Sequence, residues 1–371
     1  MTPQPHVSTR IASLDGLRAL AIVFVLLGHL TGTLRYPHIL KWLSTGEFGV
    51  RIFFVLSGFL ITTLLLKELE ITRRISLKKF YLRRIFRIFP ASYTYILVIF
   101  ILGLSGVIAL HAHDIAHAAT YTSNYYDNRS WYAGHLWSLS VEEQFYLLWP
   151  LTLFIAGKKR GMVIAGLVCF AVPVIRCSEF AFLHLHVYAR FETNADSLAV
   201  GCLLAGTTEW LNRRGWYNAL MSSRWFVVVP VFTLIFNSSA WQLRYQFTVG
   251  DFFMNVGIAL CLDWSIRSKA HPVGKVLNWR PVAFVGVLSY SLYLWQQPFL
   301  DRNIKSPLTA FPLNILLAVG AALASYYCVE RPFLAFKKRF ESPSIKRAAA
   351  TETTPATEPK KARSATASSA R

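Results

Sequence analysis

Charge is scarce in this sequence, and negative charge scarcest: 16% of its 371 residues are charged, with 19 Asp and Glu against 39 Lys and Arg. A water-soluble domain carries about a quarter of its residues as charge. With 54% hydrophobic residues and a mean hydropathy above zero, the chain is excluded from that class. Clustered cysteine is missing too. Cys169, Cys177, Cys202, Cys261 and Cys328 fall singly, with no CxxC and no metal-ligand spacing, so the expectation is packing thiols, no disulfide framework and no metal. No short-period repeat is present, which excludes a solenoid, and no polar stretch is long enough to enclose a core of its own. The first residues, MTPQPHVSTRIASLDG, are polar and lack a cleaved-signal pattern, so the first apolar run is expected to stay.

What is present is a series of apolar runs. A hydrocarbon layer about 30 Å thick needs about 17 to 25 apolar residues per helical crossing. Ten runs qualify: 16–34, 48–66, 90–110, 136–156, 160–176, 195–210, 225–241, 248–266, 281–300 and 308–329. The fifth and sixth are short and the fourth carries two glutamates. The expected fold is all-α and polytopic, with about ten transmembrane helices and both termini cytoplasmic. That orientation puts 29 of the 39 Lys and Arg residues on the cytoplasmic side and nine on the other, with Arg18 at the cytoplasmic end of the first span. The bias follows the positive-inside rule, so the net charge of +20 needs no nucleic acid to explain it. Residues 1–12 are read as a cytoplasmic segment, 13–335 as the membrane domain and 336–371 as a basic tail, whose Ala, Thr, Ser, Pro and Lys cannot bury enough surface to fold. The segment 67–89, with eight basic residues among Ile, Leu, Phe and Tyr, reads as a helix lying in the headgroup plane.

Polar residues inside the spans are the candidates for function, because each charge there costs on the order of 3 kcal/mol even on lenient scales. The first span holds Asp15, Arg18 and His29; the fourth Glu142 and Glu143; the sixth Asp196; the eighth Asp251, Asn255 and Asp263. For Arg18, Asp251 and Asp263 a place at a span end, snorkelling to water, is the alternative. His29 lies eleven residues past Arg18, about three turns and roughly 16 Å along the axis, so the two share a face with His29 near mid-membrane. Neutral imidazole is the side chain best suited to take a hydroxyl proton near neutral pH. In HLWSLSVEEQFYLLWP, residues 135–150, Ser138, Glu142 and Tyr146 align on one helical face, as do Trp137 and Val141. The adjacent glutamates point about 100° apart, so at least one faces inward, unless this segment is a helix start above the membrane.

Seven stretches in order resemble the membrane-bound acyltransferase-3 family: LDGLRALAIVFVLLGH, GVRIFFVLSGFLIT, YLRRIFRIFPA, LWSLSVEEQFYLLWP, RFETNADSLAVG, LSYSLYLWQQPF and VERPF. They cover residues 13–333. The resemblance implies an enzyme that moves an acyl group, usually acetyl from cytoplasmic acetyl-CoA, to a hydroxyl of a sugar, a lipid-linked glycan or a small metabolite. It implies the stand-alone form, without the hydrolase-like C-terminal domain of some members, so handover would fall to the membrane part or to a separate partner. Residue by residue, it makes His29 the essential histidine, Arg18 its donor-side partner, and Arg83, Arg84 and Arg87 contacts to the CoA phosphates. Glu142 and Glu143 match the paired glutamates, with Glu143 favoured as nearer the chemistry. Ser57, Trp137, Ser138, Tyr146, Asp196, Tyr290 and Gln296 fall in the matching stretches as acceptor-binding or structural residues.

Two positions depart from the family pattern: Asn194 stands where many members have Arg, and Gln296 where many have His. Neither can act as a base, which leaves His29 without a second histidine in the ninth span. The expectation is therefore a multi-pass O-acetyltransferase of the cytoplasmic (inner) membrane. Acyl-CoA is its co-substrate rather than a bound cofactor, and its partners are membrane lipid and a carbohydrate or lipid-linked acceptor. His29 serves as general base or as a transient acyl carrier. The rivals are a transporter or flippase using the same polar residues, for which inverted halves or paired broken helices are not visible in the sequence, and a scaffold with a degenerate core.

Overall fold

In hydrocarbon, backbone N–H and C=O groups must be satisfied within the chain, which favours helices wherever the sequence is apolar. The computed structural model describes residues 12–37, 46–179, 189–237 and 250–337, with no strand among the described residues. The helices are α1 (Ala12–Leu30), α2 (Gly46–Thr72), α3 (Leu77–Leu104), α4 (Asp114–Ala119), α5 (Trp131–Gly134), α6 (Leu136–Ser178) and α7 (Ala195–Asn212). They are followed by α8 (Gly215–Ser222), α9 (Val228–Phe236), α10 (Asp251–Arg267), α11 (Pro272–Leu277), α12 (Arg280–Trp295), α13 (Leu313–Ser325), a π turn over Tyr326–Glu330, and α14 (Arg331–Lys337).

Among the described residues five helical stretches are long and apolar enough to cross a membrane: Ser13–Leu30, Gly46–Thr72, Leu77–Leu104, Trp131–Ser178 and Leu313–Phe336. A sixth is the pair Gly215–Ser222 and Arg224–Phe236, bent by 70°. The fourth and fifth predicted spans meet in one helix, α6, broken at Gly157, whose φ of 72° is left-handed backbone that favours glycine. The sixth, eighth and ninth predicted spans correspond to α7, α10 and α12. These are shorter or more polar, with 17 residues in α10, 16 in α12, and Asp196 and Glu209 within α7.

The segment 67–89 is not a separate helix in the headgroup plane. Its first residues finish α2, and after a turn at Arg73 (φ 60°) the rest runs without a break through Pro90 into α3. One helix thus carries Arg83, Arg84 and Arg87 and continues into the apolar run. The N-terminal segment up to residue 11 and the tail from 338 lie outside the described residues.

Helix pairs approach closely where glycine removes the side chain, as membrane helices do. A Cβ on Gly58 of α2 would sit 2.0 Å from the Leu198 carbonyl oxygen of α7, and one on Gly201 would sit 2.1 Å from the Val55 oxygen. The same rule seats α12 on α1, since a Cβ on Gly286 would lie 1.8 Å from the Asp15 oxygen. A buried ionic network ties α2, α6, α7 and α10 together. Arg51 pairs with Asp251 at 2.6 Å, Arg176 pairs with both Asp251 and Asp196, and Asn255 donates to Asp196 at 3.1 Å. With α1 held between α2 and α12, its polar face looks toward α3 and α6.

Candidate active site

Between α1, α2, α3, α6 and α12 lies a cavity of 190 Å³. One wall is apolar, built from Val50, Phe53, Leu60, Ile61 and Leu64 of α2; the other carries Arg18, Arg84, Arg87, Ser138, Glu142, Tyr146, Tyr290 and Tyr293. Glu142 Oε1 accepts from Ser57 Oγ at 2.7 Å and Oε2 from the Tyr146 hydroxyl at 3.3 Å, and the two hydroxyls lie 3.0 Å apart. Its carboxylate sits in the field of Arg18 and Arg87. The Arg84 guanidinium lies over the rings of Phe80 (5.5 Å) and Tyr146 (5.4 Å), with its Nε buried and unpartnered. Glu330, held by Ser291 at 2.9 Å, adds a second buried carboxylate near Arg87 and Arg18. Among the lining residues three guanidiniums face one carboxylate, Glu142, with Asp15, Glu143 and Glu330 in the surrounding field. Planar guanidiniums suit phosphate, and the apolar wall suits a flexible thioester arm.

From this cavity a chain of polar side chains leads to His29 in the last turn of α1. Ser138 Oγ is 2.5 Å from the Tyr293 hydroxyl, which also donates to the His135 carbonyl at 2.7 Å, and the two rings lie 5.4 Å apart. His135 is in turn within electrostatic reach of His29. His29 meets Trp131 edge-on at 6.0 Å and has the Gln296 amide beside it. Buried polar atoms nearly always find partners. Here His29 Nδ1, Gln296 Oε1 and both His135 nitrogens have no hydrogen bond of good geometry among the described residues, the Leu294 carbonyl being the group nearest to a partner for His135. Unsatisfied groups at this density offer hydrogen bonds to a polar occupant. No cluster of three His, Cys, Asp or Glu arranged for a metal is found among the described residues.

The predicted residues separate into three sets. Arg18, Arg84, Arg87, Ser57, Ser138, Glu142, Tyr146 and Tyr290 line one cavity, and His29 and Gln296 stand together beyond its far end. Four others do not join them. Arg83 pairs with Glu68 at 3.2 Å, and Glu68 also accepts from the Ser76 N–H, which makes Arg83 a fastener of the α2–α3 turn. Glu143 is not part of the cavity lining; it lies in the field of Arg84 with Oε1 unpartnered, so the carboxylate that lines the cavity is Glu142 rather than its neighbour. Asp196 belongs to the buried ionic network, and Trp137 packs edge-on against Phe54 at 6.1 Å.

Sequence reasoning passed over His135, Tyr293 and Glu330. All three sit inside stretches already singled out. His135 lies three residues before Ser138 and Tyr293 three after Tyr290, a spacing that shares a helical face. The π turn at Tyr326–Glu330, which ends on the buried Glu330 and leads into the exposed Arg331, has no signature in the sequence.

The family model described as "Acyltransferase domain" matches residues 11–329. A provisionally named O-acetyltransferase of Staphylococcus aureus (strain COL) is 30% identical over 370 residues, covering 87% of this chain and 57% of the relative. O-acetyltransferase OatA of Staphylococcus aureus (strain NCTC 8325 / PS 47) is 30% identical over 377 residues, covering 90% of this chain and 58% of the relative. The chain thus spans less than two thirds of the length of these relatives. No solved structure matches it.

Proposed function

The chain belongs to the acyltransferase-3 family, and from that premise we propose that it is an integral membrane O-acetyltransferase moving acetyl from cytoplasmic acetyl-CoA to a hydroxyl of a carbohydrate or lipid-linked glycan precursor. The observation that carries this reading is one cavity joining three guanidiniums to an apolar wall, with a polar path from it to His29. The relatives' names, O-acetyltransferases, support acetyl as the group.

In this reading Arg18, Arg84 and Arg87 take the CoA phosphates and the thioester arm runs along the α2 wall toward α6 and α12. At the far end His29 accepts the acceptor's hydroxyl proton, the oxygen attacks the thioester carbonyl, and the carbon–sulfur bond breaks. The imidazolium then returns its proton to the leaving thiolate. Transfer through an acetyl-imidazole on His29 balances equally: the thiolate leaves first and the hydroxyl attacks second. Glu142 sets a negative charge in the field of Arg18 and Arg87.

The same reading gives ten crossings of the cytoplasmic membrane with both termini in the cytoplasm, supported by the basic bias of the connecting segments. Mass spectrometry of surface glycans and extracted lipids, from cells with and without the chain, tests the function. An acetyl-sized loss of 42 Da in one glycan species on deletion, restored by complementation, is the expected result; identical spectra contradict it.

A further inference from the structure

The polar path ends in a feature the acyl-transfer chemistry does not require: a positive charge with no ion pair among the described residues, standing one aromatic ring away from His29. Arg302 is exposed, yet its position is fixed. Its stem lies against the loop at Gly32, where an added Cβ would fall 3.6 Å from Cδ, and its guanidinium covers the Trp131 ring at 4.8 Å. Trp131 is itself clamped by two reciprocal bonds, Nε1 to the Gln297 carbonyl and Gln297 Nε2 to the Trp131 carbonyl, both 2.9 Å. Its edge meets His29. The neighbouring Asp301 accepts from the Tyr132 hydroxyl (2.8 Å) and the Asn303 N–H (2.8 Å) and makes no ion pair with Arg302. Among the described residues Arg302 has no ion pair, while the buried Gln296 Oε1, Gln297 Oε1 and His29 Nδ1 have no hydrogen bond of good geometry.

A guanidinium held flat on an indole keeps its N–H edge free, and that edge binds oxyanions in a fork. We propose that Trp131, Arg302, Gln296 and His29 form the acceptor subsite, and that the acceptor is a sugar bearing an oxyanion, with Arg302 taking the anion while a hydroxyl faces His29. This rests on the acyl-transfer reading and narrows its substrate class. The oxyanion has two possible sources, the carboxylate of an acidic sugar or the phosphate of a lipid-linked one.

Titration calorimetry on the full chain in detergent micelles, with octyl glucuronide, octyl glucoside and glucosyl citronellyl diphosphate, tests it. The wild-type chain is expected to bind one of the two anionic probes about 10- to 100-fold tighter than octyl glucoside, the worth of a charge-assisted bond. Preference for the glucuronide assigns an acidic sugar; preference for the diphosphate assigns a lipid-linked one. Arg302→Gln erases the preference, Arg302→Lys keeps part of it, and Lys305→Gln, which removes another exposed cation of the same loop, keeps all of it. Three results overturn the proposal: equal binding of the three probes, an intact preference in Arg302→Gln, or equal losses in Arg302→Gln and Lys305→Gln. Transfer of label from radiolabelled acetyl-CoA to the preferred probe is measured in parallel. An anionic preference that depends on Arg302 without label transfer counts against the acetyltransferase reading and leaves the subsite standing.

Discussion

At the residue scale, two neighbouring glutamates illustrate how burial direction separates roles. Glu142 is held by Ser57 and Tyr146 on the cavity wall, while Glu143 is not part of the lining. Replacing Glu142 by Gln removes the charge that faces Arg18 and Arg87. Acetyl transfer is expected to fall by about 10²-fold, while Glu143→Gln retains most of it, as measured by release of free CoA thiol. The arginines divide in the same way. Arg87→Ala, which strips one cation from the cavity, is expected to raise KM for acetyl-CoA about 10- to 100-fold. Arg83→Ala is expected to leave KM unchanged and to lower thermal stability in detergent, because its partner is Glu68 at the α2–α3 turn.

At the scale of elements, the bundle depends on contacts too close for a side chain and on charges too buried to stand alone. Gly58→Leu pushes α2 off α7 at the Leu198 carbonyl. A cost of about 1–3 kcal/mol or more is expected from overpacking, seen as a lower melting temperature with CoA binding retained in the folded fraction. Asp251→Asn leaves Arg51 and Arg176 facing each other without a shared carboxylate, and a loss of about 3–5 kcal/mol follows from breaking a buried pair.

The all-helical class and the polar residues the helices carry were legible in the sequence, because the apolar runs mark helices and Arg18, His29 and Glu142 lie within them. Three features were not. Continuity of α3 through Pro90 and of α6 up to its break at Gly157 depends on neighbours that periodicity does not describe. The pairing of Arg83 with Glu68, fifteen residues earlier, depends on the turn between two helices. His135 became visible only when α12 brought Tyr293 against it.

At the scale of the whole molecule, the two ends of α1 organise the account. Arg18 marks an end where cations outnumber carboxylates around a cavity, and His29 marks an end where polar atoms lack partners. The proposed cytoplasmic donor requires the Arg18 end to face the cytoplasm, so a single cysteine placed at Lys158 or Lys159, beside the α6 break, in a chain whose five native cysteines are replaced by Ser, should react with a membrane-impermeant maleimide only in inverted vesicles.

The most direct test is single-turnover transfer from radiolabelled acetyl-CoA in proteoliposomes carrying an extracted glycan acceptor, comparing the wild-type chain with His29→Gln at matched, folded abundance. Label reaching the acceptor from the wild-type chain, with a loss of at least about 10²-fold in His29→Gln and unchanged acetyl-CoA binding, is the predicted result. Transfer by the folded His29→Gln chain at the wild-type rate would contradict it.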